Sequence, residues 1–429
     1  MIRSSIQKRR NFLRKIGAGI TATLLSPGTQ LLANDAPHHP RLPFKGEDGP
    51  LDEKYWEMVK RQFLIAPDKM IVNAANLCPS PHFIYEKVNQ YTDALARDVS
   101  FQNRAVFAKV REEALTMLAE YLGISSGEVA ITRNTSESNN IIVNGIDFKP
   151  SDEVILWEQN HPTNLIAWQN RARREGFKVK VIAVPAQPNS PDDLVQAFTE
   201  AVTPNTRLIA FSHISNVSGL AMPAKEICSM ARAKGIMTLV DGAQSFGFLD
   251  LDLKDIGCSF YSGSAHKWLM GPLENGVLYV DEAHQAAIWP NIIAAGWQED
   301  HTTLDEKVAV LGQRNTPSTS AMPDIIAFHQ AIGKANVEAR VRQLNTYLKV
   351  QIGKHLPQAE FTTPLSEALS GGVTILRIPD QDPRKLFDQL YRDFGIAGAP
   401  TGGLRISPNI YCTLKDMDRV VEALQTIVG

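Results

Sequence analysis

The chain has 429 residues, 44% of them hydrophobic and 21% charged, a composition typical of a folded protein large enough for an extensive apolar core. Lys and Arg number 44 against 46 Asp and Glu, so no basic excess points to nucleic acid as a partner. The sequence lacks the run of about 18 apolar residues that each span of a polytopic membrane protein needs.

Residues 1–36 show the three regions of a secretory signal in the usual order. Arg9 and Arg10 lie in a basic region, residues 16–25 form a short apolar stretch, and small residues follow. The paired arginines, followed by Asn-Phe-Leu, resemble the twin-arginine signal, which an export machinery reads as an address. We therefore expect this machinery as a partner, the periplasm as the location and no stable membrane insertion. A ragged basic N-terminus or an uncleaved anchor is the alternative.

Behind the signal, the sequence predicts an N-terminal segment over 37–75, a large domain over 76–325 and a small domain over 326–429. Apolar residues repeat at three- and four-residue steps from Phe107 to Leu122, which predicts a helix ending at Gly123. Short β-branched strands then alternate with helices, a pattern typical of a largely parallel sheet. The predicted strands are 154–157, 179–182, 208–211 and 237–240, and the predicted helices are 162–175, 191–201 and 223–234.

Two further strands are predicted near 258–261 and 276–280, on either side of a polar turn. After about residue 325, the pattern predicts a long amphipathic helix, a strand at 371–376 and a helix at 382–394. A closing strand and helix follow Gly403. The fold class is therefore α/β with a smaller α+β domain at the C-terminus.

The four cysteines, at 78, 228, 258 and 412, are too scattered for a disulfide framework or a metal site. We expect them to be small buried hydrophobes, and we expect no metal.

Three polar segments carry the candidate chemistry. Lys267 lies in the small-residue turn Ser262-Gly-Ser-Ala-His-Lys-Trp, which is an unusual place for a lysine that only needs solvent. Asp241 ends a predicted strand, where ligands bind in open α/β sheets. Thr135 and Ser136 open a predicted helix whose hydroxyl and N–H groups suit a phosphate. Each residue alone has a purely structural explanation, such as a helix cap or a surface charge.

Together and in this order, these motifs resemble the class V aminotransferases, which are fold-type I pyridoxal-phosphate enzymes. The family includes cysteine desulfurases and isopenicillin N epimerase, and the overall pattern is similar to the epimerase branch. The resemblance implies pyridoxal 5'-phosphate as cofactor and a mostly parallel central sheet.

The resemblance also implies a role for each matching position. Lys267 would form a Schiff base with the cofactor aldehyde, Asp241 would pair with the ring nitrogen, and His161 would stack on the ring. Gln244 would bond the ring 3-oxygen. The phosphate would be bound by Thr135, Ser136, Ser264 and His266. Thr316 would reach the phosphate of a partner subunit, which implies a homodimer. Asn216 and Arg405 match substrate-side positions, and Asn216 is also expected to contact the cofactor.

The implied activity is an aminotransferase-like reaction on the α-amino group of an amino acid or peptide. Exported relatives that tailor a siderophore, pyoverdine, suggest that kind of peptide as the substrate. An epimerase or a C–S lyase is the alternative reaction, and a pyridoxal-phosphate-binding module without turnover is the alternative of another class. Desulfuration is disfavoured, because the segment 391–404 before Arg405 contains no cysteine to form a persulfide.

Overall fold

The helices and strands follow the apolar periodicity of the sequence. The structure is a computed structural model that describes residues 52–429, so the predicted signal at 1–36 lies outside the described residues. The helices are α1 (Glu53–Lys60), α2 (His82–Arg97), α3 (Phe101–Leu122), α4 (Thr135–Gly145), α5 (Pro162–Glu175), α6 (Pro191–Ala201), α7 (Ala224–Ala233), α8 (Leu253–Ile256), α9 (Glu282–Gln285), α10 (Leu304–Val308), α11 (Thr316–Thr319), α12 (Met322–Ile332), α13 (Lys334–His355), α14 (Pro383–Phe394) and α15 (Leu414–Val428). The strands are β1 (Met70–Ile71), β2 (Val129–Thr132), β3 (Glu153–Trp157), β4 (Lys178–Ile182), β5 (Thr206–Ser212), β6 (Met237–Asp241), β7 (Phe260–Ser264), β8 (Gly276–Val280), β9 (Glu360–Phe361), β10 (Thr374–Arg377), β11 (Ile396–Ala397) and β12 (Leu404–Ile406).

A seven-stranded sheet with the order β2-β8-β7-β6-β5-β3-β4 is formed by strands between residues 129 and 280. Its strands run parallel except β8, which is antiparallel to both of its neighbours. This sheet confirms the predicted α/β class. The parallel strands end at one edge, where their following loops can converge on a ligand.

Both faces of this sheet are buried, which explains the nearly continuous apolar runs of its strands. Along β3, Ile155 and Trp157 contact one apolar cluster, and Val154 and Leu156 contact the other. The alternation follows from the two-residue period of a strand. The two apolar clusters therefore hold the sheet in place, together with the polar residues at the carboxyl ends of its strands.

Three predicted elements differ most clearly from the observed ones. The strand expected at 258–261 extends to Ser264, so Ser262 and Ser264 lie in β7 and not in the following turn. The single long helix expected after 325 is two helices, because Gly333 adopts a φ of 91° between α12 and α13. The strand expected at 371–376 begins only at Thr374. The helix expected to end at Gly123 does so, with that glycine in the left-handed region at a φ of 70°.

The C-terminal part contains the antiparallel sheet β12-β10-β9 with long helices, as expected for an α+β unit. The short strand β1 pairs with β11, which ties the beginning of the described chain to this part. Between residues 52 and 429, no helix is both long and apolar enough to cross a membrane.

Candidate active site

The carboxyl edge of the central sheet gathers residues that the sequence predicted to act together. Asp241 ends β6, Ser264 ends β7, and His161 caps α5 shortly after β3. The turn after β7 carries Lys267. Four of the predicted residues lie within electrostatic reach of one another, since the pKa values of Lys267 and His161 respond to Asp241 and Arg405.

The Lys267 amine has an unusual protonation equilibrium. Burial lowers its pKa from 10.5 to about 8, the Asp241 carboxylate opposes this shift, and the Arg405 cation adds to it. A lysine forms a Schiff base only through its neutral amine, so the lowered pKa suits a nucleophile. A surface lysine would show none of these effects.

The Asp241 carboxylate is buried, with 3% of the residue exposed. Its Oδ1 accepts a hydrogen bond from the Ala243 backbone N–H at 3.1 Å, and its Oδ2 accepts one from the Asn139 amide at 2.8 Å. A buried carboxylate with two donors is fixed in one orientation and kept as an acceptor. This arrangement can hold a cationic ring nitrogen on the remaining lone pairs.

The predicted phosphate residues surround the N-terminus of α4. The Thr135 N–H donates to Ser264 Oγ at 2.9 Å, and the two hydroxyls lie 2.7 Å apart. Ser136 and His266 line a neighbouring cavity of about 530 Å³. Burial, together with the Lys267 charge, lowers the pKa of His266 to about 4, so its ring is neutral at pH 7. His266 Nδ1 is buried without a hydrogen-bond partner among the described residues. This nitrogen could donate a hydrogen bond to an anion at the N-terminus of α4.

Gln244 is held by hydrogen bonds on both sides of its amide. Its Oε1 accepts from the Trp268 indole N–H at 2.8 Å, and its Nε2 donates to the Ala75 carbonyl at 2.9 Å. The amide carries a second hydrogen on Nε2, which can serve the ring oxygen that the resemblance assigns to Gln244.

His161 lies at the first turn of α5, and its Nδ1 accepts a hydrogen bond from the Thr163 backbone N–H at 3.3 Å. This contact places a ring proton on Nε2 when the imidazole is neutral. Burial and the charges of Lys267 and Arg405 lower the pKa of His161, against the opposing effect of Asp241. A neutral ring is the form that stacks on a cationic ring without repulsion.

Arg405 is buried on β12, with 4% of the residue exposed. Its Nη1 donates to the Asn216 carbonyl and its Nη2 donates to Asn73 Oδ1, both at 3.1 Å. Its Nε is buried and has no partner in the described part of the chain. Burial lowers its pKa to about 10, which still leaves it charged at pH 7. A planar cation fixed in this way suits a carboxylate.

Thr316 lies apart from this group, at the start of α11. Its neighbours Asn315 and Thr319 line a second cavity of about 250 Å³ together with Arg133. The contact expected between Thr316 and a partner's phosphate involves another subunit and stays a prediction.

The chain is similar to proteins of a known family along most of its length. The family model for class V aminotransferases matches residues 78–420, which is most of the chain. The chain belongs to the class V aminotransferase family.

Relatives of this chain include the isopenicillin N epimerase of Streptomyces clavuligerus, 30% identical over 87% of this chain and 98% of that protein. A probable cysteine desulfurase of Pseudomonas aeruginosa is 36% identical over 49% of this chain and 53% of its own length. Among solved structures, the apo cysteine desulfurase of Thermococcus onnurineus has a TM-score of 0.78 at 22% identity, covering 87% of this chain and 98% of that one. A C-DES mutant with glycine linked to its PLP cofactor has a TM-score of 0.79 at 19% identity, covering 85% and 98%. These structural likenesses establish the fold.

Two residues of the class V site were not predicted from the sequence, Asn139 and Asn73. Asn139 lies on the buried side of α4, and Asn73 follows the apolar run that ends in β1. A polar side chain on an otherwise apolar face is the signal that could have marked Asn139. Nothing in the local sequence connects Asn73 with Arg405.

The four cysteines of this chain are all buried, as predicted, and all four are free thiols. Burial raises the pKa of Cys78 to about 11 and that of Cys412 to about 12. A thiol that carries sulfur needs an accessible thiolate, so neither cysteine has the environment of a persulfide carrier.

Proposed function

We propose that this pyridoxal-phosphate enzyme acts on the α-amino group of an amino acid or peptide in an aminotransferase-like reaction. The observation that supports this proposal best is Lys267, a partly buried amine whose lowered pKa responds to both Asp241 and Arg405. Amino-acid chemistry on this cofactor needs a nucleophilic amine, a carboxylate for the ring nitrogen and a cation for the substrate carboxylate. Lys267, Asp241 and Arg405 would meet these three needs.

The residues present fit the cofactor. When bound, pyridoxal phosphate supplies an aldehyde that condenses with amines and a ring that withdraws electrons from Cα. Asp241, fixed by Ala243 and Asn139, would hold the ring nitrogen, and Gln244 would donate to the ring oxygen.

At the other end of the ring, the hydroxyls at the start of α4 and the unpartnered His266 Nδ1 would hold the phosphate. Lys267 Nζ would hold the aldehyde end of the cofactor, and its amine, with the lowered pKa, would serve as the base that takes the proton from the substrate Cα.

Arg405 would orient the substrate by its carboxylate. The Asn216 carbonyl and Asn73 Oδ1 fix two of its nitrogens, so the guanidinium plane is set before substrate arrives. A pre-set planar cation binds a carboxylate with two parallel hydrogen bonds and little loss of entropy.

Epimerisation is the second candidate, because an isopenicillin N epimerase matches the chain over 98% of its own length. The two reactions differ in where the α-proton returns. Incubation of candidate amino acids or peptides in ²H₂O separates them. Deuterium at an inverted Cα without a 2-oxo acid supports epimerisation, and an amino transfer that requires a 2-oxo acid supports the first proposal.

The proposed enzyme is a homodimer in which Thr316 of one subunit completes the other subunit's phosphate site. The support is the resemblance at Arg314-Asn-Thr316-Pro and the place of Asn315 and Thr319 on a cavity shared with Arg133. Analytical ultracentrifugation of the wild type and of Thr316→Ala tests this arrangement. A monomeric wild type contradicts it, and so does a Thr316→Ala dimer that retains full cofactor affinity.

The proposed location is the periplasm, reached through the twin-arginine route, and the proposed substrate is a secreted or maturing peptide such as a pyoverdine-type siderophore. The support is the Arg9-Arg10 signal, since an enzyme of free metabolites has no need for export. Replacing both arginines with lysine keeps the charge and removes the planar groups. We expect this variant to accumulate in the cytoplasm as cofactor-loaded protein, and its normal delivery to the periplasm would contradict export by this route.

The central experiment reduces the holoenzyme with borohydride and maps the labelled peptide by mass spectrometry. We expect the label on Lys267, and we expect the soluble Lys267→Ala variant to carry none. Lys349 is also buried, but it donates to backbone and serine oxygens, so it provides the internal control. Label on Lys349 or on any other lysine would refute the assignment.

A further inference from the structure

A line of three buried polar side chains runs from β7 through α4 to the end of β6. Ser262 Oγ donates to Asn139 Oδ1 at 2.7 Å, and Asn139 Nδ2 donates to Asp241 Oδ2 at 2.8 Å. Ser262 is fully buried, and Asn139 and Asp241 are 1% and 3% exposed. Water therefore cannot replace either hydrogen bond.

The direction of this line is fixed at each step. An amide can accept only through its oxygen and donate only through its nitrogen, so the Ser262 hydroxyl decides which way the Asn139 amide points. The amide nitrogen then faces Asp241. Since Ala243 N–H donates to the other carboxylate oxygen at 3.1 Å, each oxygen of Asp241 accepts a hydrogen bond and the carboxylate is held in one orientation.

We propose that Asn139 is the positioning residue that keeps the Asp241 carboxylate aimed at the ring nitrogen of the cofactor. This inference rests on the proposed function, because it assigns Asp241 the ring nitrogen as its partner. Asn139 touches neither cofactor nor substrate; it acts through Asp241, and Ser262 acts through Asn139.

Loss of the amide should release the carboxylate. In Asn139→Leu, a side chain of similar size leaves Asp241 Oδ2 and the Ser262 hydroxyl without partners, so the carboxylate can turn toward Lys267 or Arg405. The ring nitrogen then loses its counter-charge. Ser262→Ala keeps the amide and removes only its orienting donor, so its effect should have the same direction and be smaller.

The experiment uses pyridoxal phosphate labelled with ¹⁵N in the ring, bound to the full-length protein. The ¹⁵N shift reports directly whether the ring nitrogen is protonated, and equilibrium dialysis gives the cofactor affinity. In the wild type we expect a protonated nitrogen throughout pH 6–9. In Asn139→Leu we expect the nitrogen to deprotonate within this range and the affinity to fall roughly tenfold or more, as for the loss of a hydrogen bond to a charged group.

Asn345→Leu is the matched control for a purely structural effect. Asn345 is also a buried asparagine whose Oδ1 accepts from a hydroxyl, that of Thr374, and whose Nδ2 donates to a carbonyl, but it lies on α13 away from Asp241. We expect this variant to lose stability and to keep the wild-type ¹⁵N titration.

If Asn139→Leu and Ser262→Ala both retain the wild-type titration and affinity, the positioning role is refuted. Should Asn139→Leu fail to fold, Ser262→Ala alone decides the outcome. A wild type that binds no cofactor, or binds it through another lysine, would instead refute the proposed function.

Discussion

The partly buried Lys267 should lower the stability of the cofactor-free protein. Burial lowers the pKa of Lys267 from 10.5 to about 8, so the folded chain disfavours the charged amine that the unfolded chain carries freely. At about 1.36 kcal/mol per pH unit, this difference sets a ceiling of about 3.4 kcal/mol on the cost. We expect about 1–3 kcal/mol, because the side chain is only partly buried and water screens some of the penalty.

The sign of the pH dependence follows from the direction of the shift. The folded pKa lies below the unfolded one, so the cost is complete below about pH 8, shrinks between about 8 and 10.5, and is absent above. Lys267→Met removes the charge and keeps the length of the side chain. The apo variant should therefore unfold at higher urea concentration than the apo wild type at pH 7, and the advantage should fall to at most about 1.4 kcal/mol at pH 9.5.

Urea titrations of both dialysed proteins at pH 7.0 and 9.5, followed by circular dichroism, measure this difference. Lys109→Met is the matched control, because Lys109 is exposed on α3 and its charge is already in water. A Lys267→Met variant that is no more stable than the wild type at pH 7 would show that the amine is not strained by burial. A gain that does not change with pH would show that packing, and not charge, is its cause.

Three further variants test the site and its frame. Asp241→Asn should keep pyridoxal phosphate bound but slow Cα–H cleavage by about 100-fold or more in single-turnover kinetics, because an amide cannot stabilise a cationic ring nitrogen; a near wild-type rate would refute the role. Arg405→Lys should raise KM about 10- to 100-fold with a smaller change in kcat, since a point charge replaces a planar donor, and an unchanged KM would place the substrate carboxylate elsewhere. Gly242→Ala should unfold at least about 1–3 kcal/mol more easily, because its Cβ would lie 2.0 Å from a ring carbon of the buried Tyr261. Thermal denaturation at the wild-type midpoint would contradict that clash.

The strands and the charged residues beside them could be predicted, because both depend on a local pattern of apolar residues. The strands that end at Trp157 and Asp241 were expected from their β-branched runs, and Lys267 and Asp241 stood out as charged residues beside such runs. Gly333 was missed because the apolar pattern continues across it, although the backbone there turns through a left-handed φ.

The contacts that complete the site could not be predicted, because they join distant parts of the chain. Asn139 and Asp241 are 102 residues apart, and Asn73 and Arg405 are 332 residues apart. No periodicity or spacing records such pairs. Their geometry becomes evident only when the sheet order is known.

The hydrogen bond between Asn73 and Arg405 makes one part of the site depend on segments near both ends of the described chain. Lys267 and Asp241 lie at the end of the central sheet. Arg405 lies on β12 and is held by Asn73, which follows β1. Closing so long a loop is entropically costly and slow, so this half of the site should assemble after the central sheet. Removal of the segment around Asn73 or of β12 would therefore take away the support, or the residue itself, that is proposed to bind the substrate carboxylate.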